Sequence, residues 1–174
     1  MSSLETIAEA KIRSALDRRL LALTYSILSE KQQMNSRNLL HSTMTVQGIH
    51  RKCIALFDQV RDDIKAEYAI VLDETLWPTD KLSSRLMLKA NQHLEIVAAR
   101  AQSEITEASQ SLLNSGMHNA LNKDIPLARD RAFTGISLFV DGCKKVKLNR
   151  SIKAVVLFLP KLVARLWALK ARES

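Results

Sequence analysis

Residues 80–112 read DKLSSRLMLKANQHLEIVAARAQSEITEASQSL, and their spacing decides the fold class. Leu82, Leu86, Ala90, Leu94, Val97, Ala101, Ile105, Ala108 and Leu112 recur at steps of four and three. A helix turns once per 3.6 residues, so these steps line one helical face, whereas a strand needs alternation by twos. Three of the nine seam positions are alanine, which lets a neighbouring helix approach closely. A start near Thr79 or Asp80 is expected. Asn114-Ser115-Gly116 reads as the close, with Gly116 suited to a left-handed cap.

The same pattern extends in both directions. Upstream, Ile49, Cys53, Leu56, Val60, Ile64 and Val71 form a second seam. Trp77-Pro78 ends it, because the residue before proline avoids the helical region. Ser42-Thr43-Met44-Thr45-Val46, followed by Gly48, is poor in helix formers and reads as a weak stretch. Further upstream, Leu4, Ile7, Ile12, Leu16, Leu20, Leu23, Ile27 and Met34 form another seam, opened by a Ser2/Glu5 capping box and broken at Asn35-Ser36.

Downstream, Asp124-Ile125-Pro126 reads as a fourth helix start, with proline in the first turn. Leu127, Ala128, Ala132, Phe133, Ile136, Phe139 and Val140 follow. Lys144 to Arg150 reads as a basic connection to a fifth stretch, Ser151 to Ala171, kinked or split by Pro160. The chain is therefore expected to be all-α: an elongated antiparallel bundle of four to five long amphipathic helices. Only four glycines and three prolines in 174 residues agree with long elements and few turns.

Charge divides the chain unevenly. Residues 1–143 carry 17 basic and 17 acidic side chains, while 144–174 carry nine basic and one acidic, which accounts for the whole net charge of +8. Two regions follow: a charge-balanced bundle, 1–143, and a basic amphipathic segment, 144–174, packed on the same domain. Such a segment attracts anionic surfaces. Its basic members are Lys144, Lys145, Lys147, Arg150, Lys153, Lys161, Arg165, Lys170 and Arg172. Leu162, Val163, Leu166, Trp167 and Leu169 supply an apolar contact face beside them, the composition of an interfacial helix. Lys153, Lys161 and Arg165 interrupt any window of about 20 residues, so a membrane span is not expected.

Chemistry-bearing patterns are sparse. Cys53 and Cys143 lie far apart without a CxxC pair and read as reduced, buried thiols. His41, His50, His93 and His118 are scattered, lack metal-ligand spacing and read as surface or capping residues. Asp58, Asp62, Asp63, Glu67, Asp73 and Glu74 form the densest acidic run, but Arg61 and Lys65 interleave, so a solvated, salt-bridged face is expected. There is no GxSxG and no glycine-rich phosphate loop. No catalytic residue, cofactor or metal is expected, and the chain reads as a non-enzyme. Glu5 and Glu9 sit where a secretory signal would be basic and then apolar, so a cytoplasmic or peripheral membrane location is expected, with a signal-less secretion route left open.

The function that fits is a helical interaction or scaffold protein, an adaptor, effector or assembly subunit, whose basic end contacts an anionic partner. Another protein or an anionic membrane surface suits this pattern. Nucleic acid suits it less, because Phe158 and Trp167 sit among aliphatic residues rather than between exposed cations. The alternative is a membrane-active protein that inserts residues 133–140 and 152–169 as an apolar hairpin.

Overall fold

The computed structural model describes residues 3–75, 78–110 and 115–170, with side chains described for 3–75, 78–110 and 119–150. Four helices follow one another: α1 (Ser3–Asn35), α2 (Thr43–Glu74), α3 (Asp80–Gln110) and α4 (Ser115–Lys170). No strand occurs among the described residues. The protein is an all-α bundle of long helices.

Local chemistry sets most of the boundaries. α1 ends in a Schellman motif: Leu39 N–H donates to Met34 O (2.8 Å) and Asn38 N–H to Asn35 O (2.9 Å), with Asn38 left-handed at φ 56°. α2 is capped by Ser42, whose Oγ accepts from Thr45 N–H at 3.4 Å. Its first turns are thus firmer than their composition implies, and Gly48 lies inside the helix. A Cβ there would stand 2.6 Å from Glu30 Oε1, so glycine makes room for the Glu30 side chain of α1. Thr79 Oγ1 caps α3 by accepting from Leu82 N–H at 3.2 Å.

Side-chain pairs fix the topology. α1 runs antiparallel to α2, with Arg19 on Asp63 (2.9 Å) and Lys52 on Glu30 (3.2 Å). α2 runs antiparallel to α3, where the buried Tyr68 hydroxyl donates to Leu86 O at 2.7 Å. α3 runs antiparallel to α4, with Arg129 on Asn91 and on Glu95, both at 2.9 Å. Among the described residues α1 and α4 do not touch; they occupy opposite corners, and α2 and α3 form the short diagonal between them. The centre is filled by Ile12, Phe57, Ile64, Leu94, Val97, Ile105, Ala132 and Ile136, each at most 1% exposed. Every seam residue expected on α3 from Leu82 to Ile105 is buried; Leu112 lies outside the described residues.

Several expectations are corrected. Residues 115–170 form one helix of 56 residues rather than two, about 84 Å long. Ser115 and Gly116 open this helix instead of closing α3. Pro126 lies well inside it, carried through by Leu121 and Ile125, which pack on the core. Lys144–Arg150 is helical, not a connection, and the helix is not split at Pro160. Residues 133–140 and 152–169 lie in one helix here rather than in two arms of a hairpin, with Ile136 and Val140 buried in the core. Ile7 and Leu127, expected in seams, are 51% and 61% exposed; Ala8 and Ile125 take the inner positions.

Candidate interaction surface

α4 outgrows its neighbours. Asp124 on α4 meets His50 on α2 at 3.3 Å, and Lys147 meets Asp73 at 4.0 Å. Both pairs are separated by 74 residues, so α2 and α4 run parallel in constant register, and Glu74, the end of α2, is level with Leu148. At the same level Lys144 pairs with Asp80 in the first turn of α3. Residues 151–170 thus continue α4 for about 30 Å with none of α1–α3 left in register beside them.

The structure separates the expected anion-binding residues into groups. Lys144 and Lys147 serve the bundle. Lys147 Nζ donates to the backbone carbonyl of Asp73 and to that of Thr75 at 2.8 Å, capping the C-terminus of α2 from a neighbouring helix. A cation satisfies the free carbonyls there and opposes the negative end of the helix dipole. Lys145 and Arg150 are exposed and carry no ion pair among the described residues. The side chains of Lys153, Lys161, Arg165 and Lys170, and of the apolar face Leu162, Val163, Leu166, Trp167 and Leu169, lie outside those described, as does Arg172.

At the root of this extension lies a groove of about 640 Å³ between α2 and α4. Ala69, Ile70 and Leu72 form one wall, and Leu138, Phe139, Gly142 and Val146 the other. Ile70, Leu138 and Val146 remain 46%, 69% and 52% exposed. Nothing approaches within 4 Å of where a Gly142 Cβ would stand, so this glycine leaves the groove open. Further along the same seam, outside the groove, Arg61 Cδ stands 3.0 Å from the Cβ position of Gly135. Asp73, Lys147 and Arg150 gather at the outer end. The groove could not be foreseen from periodicity, because Leu138, Gly142 and Val146 lie off the apolar seam of α4.

Neither cysteine is activated. Burial, then the nearby Asp73 charge, pushes the Cys143 thiol up. Burial, then Glu104, pushes Cys53 up to about 12. A nucleophilic cysteine needs the opposite shift. His93, expected near the surface, is 3% exposed, with Nε2 3.1 Å from Glu9 Oε1 across the α1/α3 seam. No group of three or more His, Cys, Asp or Glu suited to a metal occurs among the described residues. The acidic run of α2 is a salt-bridged face: Arg61 holds Asp58 (2.6 Å) and Asp62 (2.9 Å), and Lys11 reaches Glu67 at 3.6 Å. The Arg61 hydrogen bond keeps the Asp62 carboxyl below its ordinary value.

No family model, curated protein or solved structure matches the chain.

Proposed function

We propose that this protein is a non-enzymatic, membrane-surface interaction protein in which the bundle holds out the last twenty residues of α4 as a basic amphipathic arm for an anionic bilayer. The overrun of α4 past its neighbours carries this reading. A segment with no bundle helix beside it has to bury its apolar face elsewhere.

The sequence register of α4 supports the same conclusion. Its buried seam runs Ile125, Ala128, Ala132, Ile136 and Val140. Counted onward by threes and fours, the seam reaches Lys147, Arg150, Ala154, Leu157 and Lys161, which is no continuation of a core. Ile152, Val155, Leu159, Leu162 and Leu166 fall on the opposite half of the helical circumference, while Leu157 and Phe158 stay on the seam side. A basic helix with a separate, broad apolar face has the composition that lies in a bilayer interface.

The test is co-flotation with vesicles of phosphatidylcholine alone or mixed with phosphatidylserine. Each lysine or arginine near a negative surface contributes about 1 kcal/mol, so four engaged cations raise affinity roughly a thousandfold. Binding is expected only to the anionic vesicles and is expected to weaken with salt, since screening acts over about 8–10 Å at physiological ionic strength. Charge reversal of Lys161 and Arg165 should abolish it while leaving helicity unchanged. Equal binding to both vesicle types, or none to either, overturns the reading.

A further inference from the structure

We propose that the groove between α2 and α4 is a binding site for a single-chain anionic amphiphile of the fatty-acid class. The chain lies over Val146 and Gly142 towards Leu138 and Phe139, and the carboxylate meets Arg150.

Three observations carry this. The groove has the size of a small-molecule cleft, about 640 Å³ against a usual range of roughly 300–1,000 Å³. It is long: Leu138 and Arg150 stand twelve residues apart on one helix, about 18 Å. Its polarity is one-ended. From Leu138 to Val146 the lining is hydrocarbon apart from the Cys143 thiol, and the charged lining residues, Asp73, Lys147 and Arg150, all stand at the outer mouth. There Lys147 neutralises the α2 carbonyls and stands 4.0 Å from the Asp73 carboxylate, which leaves Arg150 as the cation without an ion pair among the described residues. A tail with one charged head matches that distribution. An amphipathic peptide helix matches it poorly, because its polar flanks run its whole length and call for partners along both walls.

Occupation removes the exposed surfaces of Ile70, Leu138 and Val146 from water, and burial of hydrocarbon supplies affinity in proportion to its area. Arg150 supplies head-group selectivity, because a guanidinium donates two parallel N–H bonds to a carboxylate. Lys147 is held at the rim by the Asp73 and Thr75 carbonyls, so it contributes field rather than a direct contact.

The experiment is calorimetric titration of the full chain with dodecanoate below its micellar concentration, beside dodecanol and butyrate. Dodecanoate is expected to bind at one site, with dodecanol weaker by roughly 10–100-fold for want of the charge-assisted pair and butyrate showing no binding. Gly142→Phe fills the groove from a position with open space around it and should lower dodecanoate affinity tenfold or more, with circular dichroism unchanged. Arg150→Glu should remove the preference for dodecanoate over dodecanol. Undiminished binding to the Gly142→Phe protein places the ligand elsewhere and overturns the proposal; so does equal affinity for acid and alcohol. No uptake of dodecanoate, even where anionic vesicles bind, overturns it as well. The arm variant with Lys161 and Arg165 reversed should keep dodecanoate binding, so failure of the groove and failure of the membrane reading are read separately.

Discussion

α1 and α4 occupy opposite corners of the bundle and are held there by different means. α1 matches its neighbours in length and is fastened on both flanks by charge. On the α3 side Arg85 holds Glu5 through two bonds (2.8 and 3.0 Å), Arg100 reaches Thr24 (3.1 Å), and Lys31 pairs with Glu107 (2.8 Å). On the α2 side Arg19 grips Asp63 through two bonds (2.9 and 3.1 Å). Each member of these pairs needs its partner at one height along the bundle, which fixes the position of α1 along its axis. α4 has fewer such clamps, at Asp124, Arg129, Lys144 and Lys147, and none is described beyond Arg150. Charge in this protein therefore does two jobs. Where cations and anions alternate between helices it sets register; where cations accumulate without acids in the sequence, at the end of α4, the proposed function assigns it to a partner.

The largest expected effect tests whether the two corners belong to one cooperative core. Ile12 on α1 and Ile136 on α4 are 1% and 0% exposed. Replacing either by alanine should cost about 2–4 kcal/mol in urea denaturation, with a single transition. Leu127→Ala, on the exposed face of α4, should stay within about 0.5 kcal/mol. A biphasic transition for Ile136→Ala alone would show that α4 detaches independently and would break the comparison.

A middle-sized effect separates the structural lysines from the exposed ones. Lys147→Ala removes the cap on α2 and should cost about 0.5–1 kcal/mol, with vesicle binding unchanged. Lys161→Glu should do the reverse. Equal loss of vesicle binding in both would mean that Lys147 leaves its carbonyls to meet the membrane.

The smallest effect is on acid stability, and it belongs to α1. The Lys31 hydrogen bond holds Glu107 below its ordinary value of 4.5. A carboxyl lowered on folding adds stability above its unfolded value, and this is lost as pH falls through the folded value. Below about pH 4.5 the unfolded chain therefore takes up protons first, and stability declines. Glu107→Gln should flatten that decline slightly, since its side chain is 64% exposed and solvent screens the pair. A steeper decline in the variant would reverse the assigned sign.

What could be read from the sequence tracks the kind of force involved. Apolar periodicity gave the seams of α2 and α3 almost residue by residue, because burial repeats with the helical turn. α1 and α4 were less legible because both carry apolar residues on outer faces, such as Leu21, Tyr25 and Leu28, which are at least 50% exposed. The continuity of α4 was hidden by punctuation. Pro126 and the lysine cluster resemble a start and a loop, yet long-range packing of Leu121 and Ile125 and the capping role of Lys147 keep the helix intact. The left-handed turn at Asn38 was missed because Asn35-Ser36 offered an earlier and equally good break. The charge asymmetry was fully legible, but its division into capping and exposed cations needed three dimensions.

The continuity of α4 has a mechanical consequence. No glycine or proline lies between Cys143 and Leu159, so as far as Pro160 α4 runs past the end of α2 as the same stiff rod that forms one edge of the bundle. A flexible linker would let a bound arm and its bundle turn independently; a rod makes every tilt of one a tilt of the other. An arm seated flat in a bilayer interface therefore lays the long axis of the bundle along the surface rather than upright from it. Leu127 and Leu148, exposed on the half of α4 that the arm's apolar face continues, would then lie on the underside. On that geometry α4 behaves less as a tether than as a keel, setting how the rest of the molecule is oriented above the plane it touches.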